Sequence, residues 1–132
     1  MSENKIYSSI AELVGNTPLV ELGNYEKQHD LHARVLAKLE YFNPTGSVKD
    51  RAALSMILDA QKKGKIKPGD TIIDFTSGNT GMALAAYANA LGYKFAVVLQ
   101  PGVSAERTQI LKAYGCTFLE FKDIPGVMEL IK

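Results

Sequence analysis

The stretch NPTGSVKDR, residues 43–51, carries a lysine where a helix is expected to begin. A helix that starts near Ser47 holds Lys49 in its first turn, where the macrodipole disfavours cations. Steps of three and four from Lys49 reach only apolar residues, so the spacing predicts that Lys49 lies on the inward stripe. These residues are Ala52, Ala53, Met56, Ile57 and Ala60. A buried lysine at this end of a helix tends towards a neutral amine, which suits Schiff-base chemistry with a carbonyl. The alternative is an ordinary lysine whose stem reaches out to water.

A second stretch, FTSGNTGMALA at residues 75–85, joins a predicted strand directly to a predicted helix. Ligands of parallel sheets bind at the carboxyl ends of strands, and the free N–H groups of a helix start attract anions. This loop is therefore a candidate site for a carboxylate or a phosphate. The alternative is that its Ser, Asn and Thr residues are ordinary helix caps. Nucleotide motifs are excluded, since the chain has no G-x-G-x-x-G and Gly64-Lys65 is followed by Ile66 rather than Ser or Thr.

Strand-like and helix-like stretches alternate along the chain. Apolar, β-branched runs predict strands at residues 34–39, 71–75, 95–99 and 117–121. Helices are predicted at residues 47–63, 79–91 and 105–114, and the glycines that follow them, Gly64, Gly92 and Gly115, suit left-handed caps. This order predicts an α/β fold, a parallel sheet with flanking helices.

Composition limits the classes of function. The chain has 132 residues, 46% of them hydrophobic, which fits one globular domain. A net charge of +1 leaves no basic stripe for nucleic acid, and no apolar run suits a membrane span or a signal peptide, so we expect a cytoplasmic protein. The single cysteine, Cys116, cannot form an internal disulfide and is expected to be a strand residue. No metal site is predicted.

Together the two motifs resemble a known family. NPTGSVKDR followed by TSGNTG (residues 76–81) resembles the cysteine synthase (O-acetylserine sulfhydrylase) and cystathionine β-synthase branch of the fold-type II pyridoxal-phosphate enzymes. VGNTPLVEL at residues 14–22 and SAERTQILKAYG at residues 104–115 support the resemblance, which covers nearly the whole chain.

The resemblance implies roles for individual residues. Lys49 matches the lysine that binds pyridoxal 5'-phosphate covalently and later moves the proton at the substrate α-carbon. Asn79 matches the asparagine that hydrogen-bonds the cofactor's ring oxygen. The loop matches the clamp on the carboxylate of a small amino-acid substrate, through Thr76, Ser77, Gly78, Asn79 and Thr80. The implied reaction is β-replacement, in which O-acetylserine loses acetate and sulfide adds to give cysteine. Asp50 and Arg51 are expected to cap or pair at the helix start.

This sequence also departs from the family. Members are much longer, and their phosphate-binding glycine-rich loop comes after the point where this chain stops. We therefore expect an N-terminal fragment, in which residues 1–40 pack partly with an absent large domain and residues 41–132 form a small α/β domain, incomplete at its C-terminus. The face around residues 14–22 is then expected to be exposed. Phe75 stands where the family usually has proline or alanine.

Two functional hypotheses follow. In the first, the chain performs pyridoxal-phosphate chemistry, alone or completed by a C-terminal half on another polypeptide. In the second, it is a non-catalytic remnant or interaction module whose loop binds a carboxylate, such as the tail of serine acetyltransferase, which the family binds through this loop. For the isolated chain we expect weak cofactor binding, no cysteine synthesis, and self-association as a homodimer or aggregate.

Overall fold

The structure, a computed structural model, describes residues 5–76, 78–99 and 102–120, with only the backbone of Glu120. In chain order the strands and helices are β1 (Leu19–Glu21), α1 (Gly23–Gln28), β2 (Leu36–Lys38), α2 (Lys49–Lys62), β3 (Thr71–Asp74), α3 (Asn79–Ala90), β4 (Lys94–Leu99), α4 (Ala105–Ala113) and β5 (Thr117–Glu120). Short 3-10 turns lie at Ile10–Leu13 and Glu40–Phe42. Among the described residues, no helix has the length and apolar character needed to cross a membrane.

A parallel three-stranded sheet has the order β3-β4-β5. Its register pairs Thr71 with Lys94 and Ala96 with Thr117, which confirms the predicted parallel arrangement. The central strand β4 is buried from Phe95 to Val98, because a strand covered on both faces reads as a continuous apolar run.

Helix α3 lies at the centre of the core. It is buried from Ala83 to Ala88, and its alanines let neighbouring elements approach closely. Ala53 and Ile57 of α2 belong to the same core cluster, as do residues of β4 and Leu111 of α4. The N-terminal ends of α2 and α3, which carry the two motifs, are thus attached to one packed core.

The first predicted strand, residues 34–39, does not join the parallel sheet. Leu36–Lys38 instead pairs antiparallel with Leu19–Glu21 in a separate two-stranded sheet. This strand is partly exposed and ends on a lysine, unlike the buried run of β4. Strand-helix alternation alone predicted the parallel sheet, and it left out the partner strand β1, whose three residues are too few to give a sequence pattern.

The predicted helix ends are confirmed by the backbone. Gly64, Gly92 and Gly115 have φ values of 66°, 82° and 75°, the left-handed conformation expected after a helix. Cys116, expected to be a strand residue, lies instead directly before β5; it is buried, and its amide donates to the carbonyl of Leu111. Residue 121, the predicted end of that strand, lies outside the described residues.

Candidate active site

Lys49 is the first residue of α2, and its side chain is exposed. The prediction that Lys49 faces inward is therefore wrong in this structure. The buried residues of α2 are Asp50, Ala53 and Ile57, so Ala53 and Ile57 face inward as predicted, and Asp50 takes the first inward position instead of Lys49. Met56, which was also predicted to face inward, is 48% exposed. The spacing placed Lys49 inside because steps of three and four from Lys49 reach only apolar residues. The same steps from Asp50 reach Ala53, Leu54 and Ile57, so spacing alone cannot separate the two.

Asp50 takes the inward position, and its side chain is fully buried. Its Oδ2 atom accepts from the Thr45 amide at 2.7 Å and from the Tyr87 hydroxyl at 2.8 Å. Its Oδ1 atom accepts from the Thr45 hydroxyl. A carboxylate in the first turn of a helix is also favoured by the positive end of the macrodipole. Burial, together with the hydrogen bond to Asp50, raises the pKa of Tyr87 well above its ordinary value, so Tyr87 stays a donor.

Arg51 ties the start of α2 to the N-terminal segment. Its Nε and Nη2 atoms donate to the two carboxylate oxygens of Glu40 at 2.9 and 3.0 Å. Nη2 also donates to the Thr17 hydroxyl at 3.0 Å, and that hydroxyl donates to Glu40 at 2.8 Å. The hydrogen bond from Arg51 is the main cause that lowers the pKa of Glu40 to about 2. Arg51 therefore has the pairing role expected of it, whereas Asp50 accepts hydrogen bonds from Thr45 and Tyr87 instead of capping α2 or pairing with a cation among the described residues.

Asn43 and Gly15 extend this arrangement. The buried Asn43 donates from Nδ2 to the Glu40 carboxylate at 2.8 Å and to the Ser47 carbonyl at 3.0 Å, and its Oδ1 accepts from the Gly15 amide at 2.9 Å. Gly15 has a φ of 92°, and a Cβ there would lie 3.1 Å from the Arg51 guanidinium. The motifs VGNTPLVEL and NPTGSVKDR thus form one hydrogen-bonded unit.

The second motif forms the connection between β3 and α3. Thr76 is half-buried, and its amide donates to the Asp74 carboxylate at 2.8 Å. Gly78 precedes the helix, Asn79 is its exposed first residue and Thr80 is half-buried. Ser77 lies outside the described residues. Because the first N–H groups of a helix have no partner within it, this end of α3 can bind an anion at the carboxyl edge of β3.

Gly81 shapes this loop by close backbone approach. A Cβ on Gly81 would lie 2.9 Å from the carbonyl carbon of Thr76 and closer still to its oxygen. No larger residue fits there without displacing the backbone of the loop. Sequence reasoning gave Gly81 no role, although a glycine in the first turn of a helix, where it costs about 1 kcal/mol relative to alanine, is a signal that packing requires it.

The two motifs meet through their helices. The Tyr87 hydroxyl of α3 donates to Asp50 of α2, the residue next to Lys49. Among the described residues, no hydrogen bond or ion pair joins the Lys49 side chain to residues 76–80. That Lys49 and the loop hold one ligand remains a prediction.

An apolar cavity of about 210 Å³ lies between α2 and the edge strand β3. Met56, Ile57 and Ala60 line it from α2, together with Ile72 and Asp74 of β3. Asp74 lines this cavity, and its carboxylate accepts the hydrogen bond from the Thr76 amide, so the cavity lies next to the start of the loop. Within the described part of the chain, no cluster of His, Cys, Asp or Glu could hold a metal ion.

The chemistry of these residues fits an aldehyde cofactor that carries an anion. The exposed Lys49 amine has no hydrogen-bond or ion-pair partner in the described part of the chain, so it is free to react with a carbonyl. The exposed side-chain amide of Asn79 can donate to a ring oxygen, and the start of α3 offers N–H groups to an anionic group.

Comparison with known proteins gives consistent matches. The sequence model of the family described as pyridoxal-phosphate dependent enzyme matches residues 10–132. The chain is 49% identical over 110 residues to the O-ureido-L-serine synthase of Streptomyces lavendulae, covering 83% of this chain and 33% of that protein. It is 50% identical over 111 residues to a probable cysteine synthase of Bacillus subtilis (strain 168), covering 84% of this chain and 35% of that protein.

Solved structures agree with these matches. The crystal structure of O-ureido-L-serine synthase superimposes with a TM-score of 0.81 at 45% identity, over 96% of this chain and 40% of that one. A hydrogen sulfide-producing enzyme from Fusobacterium nucleatum gives a TM-score of 0.80 at 38% identity, with the same coverage of 96% and 40%. The chain therefore spans about a third of the length of the curated relatives that it matches.

Proposed function

Because this chain belongs to the family of pyridoxal-phosphate dependent enzymes, we propose that it carries the lysine-bearing part of a β-replacement enzyme acting on an activated serine. The structural observation that supports this most directly is the close approach of Gly81 to the Thr76 backbone, which leaves no room for a Cβ at Gly81 and places Thr76 beside the first N–H groups of α3. Relatives named cysteine synthase, about 50% identical over this part, favour O-acetylserine and sulfide as the substrates.

Each residue of the proposed site has a defined task. Lys49 would hold pyridoxal 5'-phosphate covalently through its amine, and the same amine, once the substrate's amino group has displaced it, would accept the proton from the substrate α-carbon. Asn79 orients the cofactor by donating a hydrogen bond to its ring oxygen. Thr76, Ser77 and Thr80, with the amides of Gly78 and the helix start, bind the substrate carboxylate, which the positive end of α3 stabilises.

The bound cofactor supplies an electron sink, which makes the α-proton of the substrate removable. Acetate then leaves the β-carbon with its bonding electron pair, and sulfide forms the new carbon–sulfur bond. The protein's residues provide orientation and proton transfer at the α-carbon, and Lys49 returns the proton there.

The complete activity is proposed for an assembly that contains the remaining parts of the family fold, because this chain spans about a third of its curated relatives. A completing polypeptide or a second copy of the chain are the partners we propose for this purpose. For the chain by itself we propose weak cofactor binding without cysteine formation.

The test is pyridoxal-phosphate titration of the purified chain, followed by borohydride reduction and peptide mapping. We expect label on Lys49 in the natural sequence, no label at this position in Lys49→Ala, and unchanged Lys49 label in the control Lys65→Ala, which removes another exposed lysine. Label spread evenly over the exposed lysines would refute the assignment. An assay with O-acetylserine and sulfide, in parallel, measures cysteine formation.

A second candidate function is carboxylate binding without catalysis, favoured by a loop whose helix start and backbone contacts lie within this chain. A peptide with a free C-terminal carboxylate, such as a serine acetyltransferase tail, is its proposed ligand. Binding of such a peptide that weakens in Thr80→Val, in a chain with no label on Lys49, would support this function over the first.

A further inference from the structure

A fully buried carboxylate next to Lys49 has no task in the proposed chemistry. Asp50 has 0% of its surface exposed, and no cation pairs with it among the described residues. Burying a carboxylate is costly unless its oxygens are well hydrogen-bonded, so a lone buried Asp needs a reason. Asp50 accepts from two groups of Thr45 and from the Tyr87 hydroxyl, so all the donors come from outside α2.

These hydrogen bonds connect three parts of the chain. Thr45 lies in the loop that leads into α2, Asp50 is the second residue of α2, and Tyr87 is fully buried in α3. Tyr87 and Asp50 are 37 residues apart in sequence. The Asp50 carboxylate therefore fixes both the approach to α2 and the distance of its first turn from α3.

The backbone of Lys49 is held by residues on both sides of it in sequence. Its amide donates to the Ser47 hydroxyl at 3.1 Å, while the next residue along the chain is Asp50. The Lys49 side chain itself is exposed and makes no described hydrogen bond. The position of Lys49 relative to α3 is therefore set by the Lys49 backbone, and the neighbouring Asp50 holds that backbone in place.

We propose that Asp50 is a positioning residue, which holds the backbone of Lys49 against α3 through Thr45 and Tyr87. It does not touch the substrate or the cofactor. The catalytic part of this inference rests on the proposed function, because Asp50 matters to the reaction only through the position of Lys49. The structural part, that the Asp50 carboxylate holds the first turn of α2, can be tested independently.

The first experiment is amide hydrogen exchange of the natural chain and of Asp50→Asn, which keeps the shape but replaces one acceptor oxygen by a donor. We expect exchange of the amides of residues 45–51 to accelerate at least tenfold in Asp50→Asn, and less in Tyr87→Phe, which removes one donor. The matched control is Leu111→Ala, a cavity variant in α4 that lowers stability away from this turn. Unchanged exchange in Asp50→Asn, or equal acceleration in Leu111→Ala at matched stability, would overturn the proposal.

The second experiment uses pyridoxal phosphate and borohydride on the same variants. We expect the share of label on Lys49 to fall at least threefold in Asp50→Asn relative to the label on Lys62 and Lys63 in the same sample, and to be unaffected in Leu111→Ala. An unchanged share would contradict the positioning of Lys49. If the natural chain shows no label on Lys49, the proposed function fails, and the exchange experiment alone decides the role of Asp50.

Discussion

Single residues of the loop differ sharply in how much change they tolerate. Gly81 faces the Thr76 backbone with no space for a side chain, whereas a Cβ on Gly78 would meet only the Thr76 hydroxyl at 4.0 Å. The two glycines stand three residues apart in one motif, so they form a matched pair.

For Gly81→Ala we expect a loss of about 1–3 kcal/mol in the free energy of unfolding, because the helix start must move away from the loop. For Gly78→Ala we expect the free energy of unfolding to change by under about 1 kcal/mol. The φ of Gly78, −84°, suits any residue, and a Cβ there would have no close neighbour. Urea unfolding of both variants measures the difference. Equal losses of stability in the two variants would contradict this prediction, because they would mean that the loop moves easily to accommodate a Cβ at Gly81.

Leu111 gives a second prediction at this scale. It is fully buried, while its neighbour Ile110 is 36% exposed. We expect Leu111→Ala to lower the free energy of unfolding by about 2–5 kcal/mol through the cavity that it leaves. Ile110→Ala is the control, expected within about 0.5 kcal/mol. A small effect at Leu111 would show that α4 collapses into the cavity.

At the scale of elements, the contact between the N-terminal segment and α2 depends on a charged group. Glu40 accepts from Arg51, Thr17 and Asn43, and the pKa of Glu40 is lowered to about 2 from an ordinary value of about 4.3. A lowered pKa in the folded state means that the contribution of Glu40 to stability is complete above pH 4.3. It is lost as the pH falls from about 4.3 towards 2.

We therefore expect Glu40→Gln to be less stable than the natural chain at pH 6, and the difference between them to shrink towards pH 3. Urea unfolding at a series of pH values measures this difference. Glu106→Gln is the control, since that carboxylate lies in the first turn of α4 and is exposed. A difference for Glu40→Gln that stays constant from pH 6 to pH 3 would contradict the assigned pKa.

The elements that sequence predicted well are those with strong patterns. The buried run of β4 and the alanine-rich α3 were predicted nearly to their ends, because continuous burial requires continuous apolar residues. The first inward residue of α2 was not, since apolar residues follow both Lys49 and Asp50 at steps of three and four. Only the donors of Thr45 and Tyr87 make Asp50 the buried one, and contacts 37 residues apart leave no local pattern.

In the candidate site, too, the features with a local sequence pattern were predicted and the contacts between distant residues were not. The connection after β3 was predicted from its small polar residues and its place between a strand and a helix, and the structure has Gly78 directly before α3, which begins at Asn79. The contribution of Gly81 depends on a backbone approach that composition cannot reveal. The joining of Thr17, Glu40 and Arg51 was missed because it unites three separate segments through side chains.

At the scale of the whole molecule, large apolar side chains remain on the surface. Tyr41 and Phe42 stack with ring centroids 4.6 Å apart, and they are 63% and 58% exposed. Leu19, Val20 and Leu22 are exposed as well, as expected for the face around residues 14–22. Exposed apolar side chains in such number favour association.

We expect the purified chain to associate in a concentration-dependent manner, and the double variant Tyr41→Ser, Phe42→Ser to associate less. Sedimentation velocity over a range of concentrations measures this. Tyr25→Ser is the control, because Tyr25 is similarly exposed, at 51%, but its ring lies tilted against His29 at the end of α1, away from the stacked pair in sequence. If both variants associate as the natural chain does, the stacked pair is not part of the contact.

The buried cysteine offers a way to follow all of these variants. Cys116 is the one cysteine of the chain and is 8% exposed, and burial raises the pKa of its thiol. A thiol that is both covered and protonated reacts slowly with alkylating reagents. Iodoacetamide should therefore modify the protein only when the turn before β5 opens. Mass spectrometry would then detect each molecule that has opened by the mass of one added alkyl group. The rate of that alkylation measures how often this turn opens, with no substitution needed to introduce a reactive group.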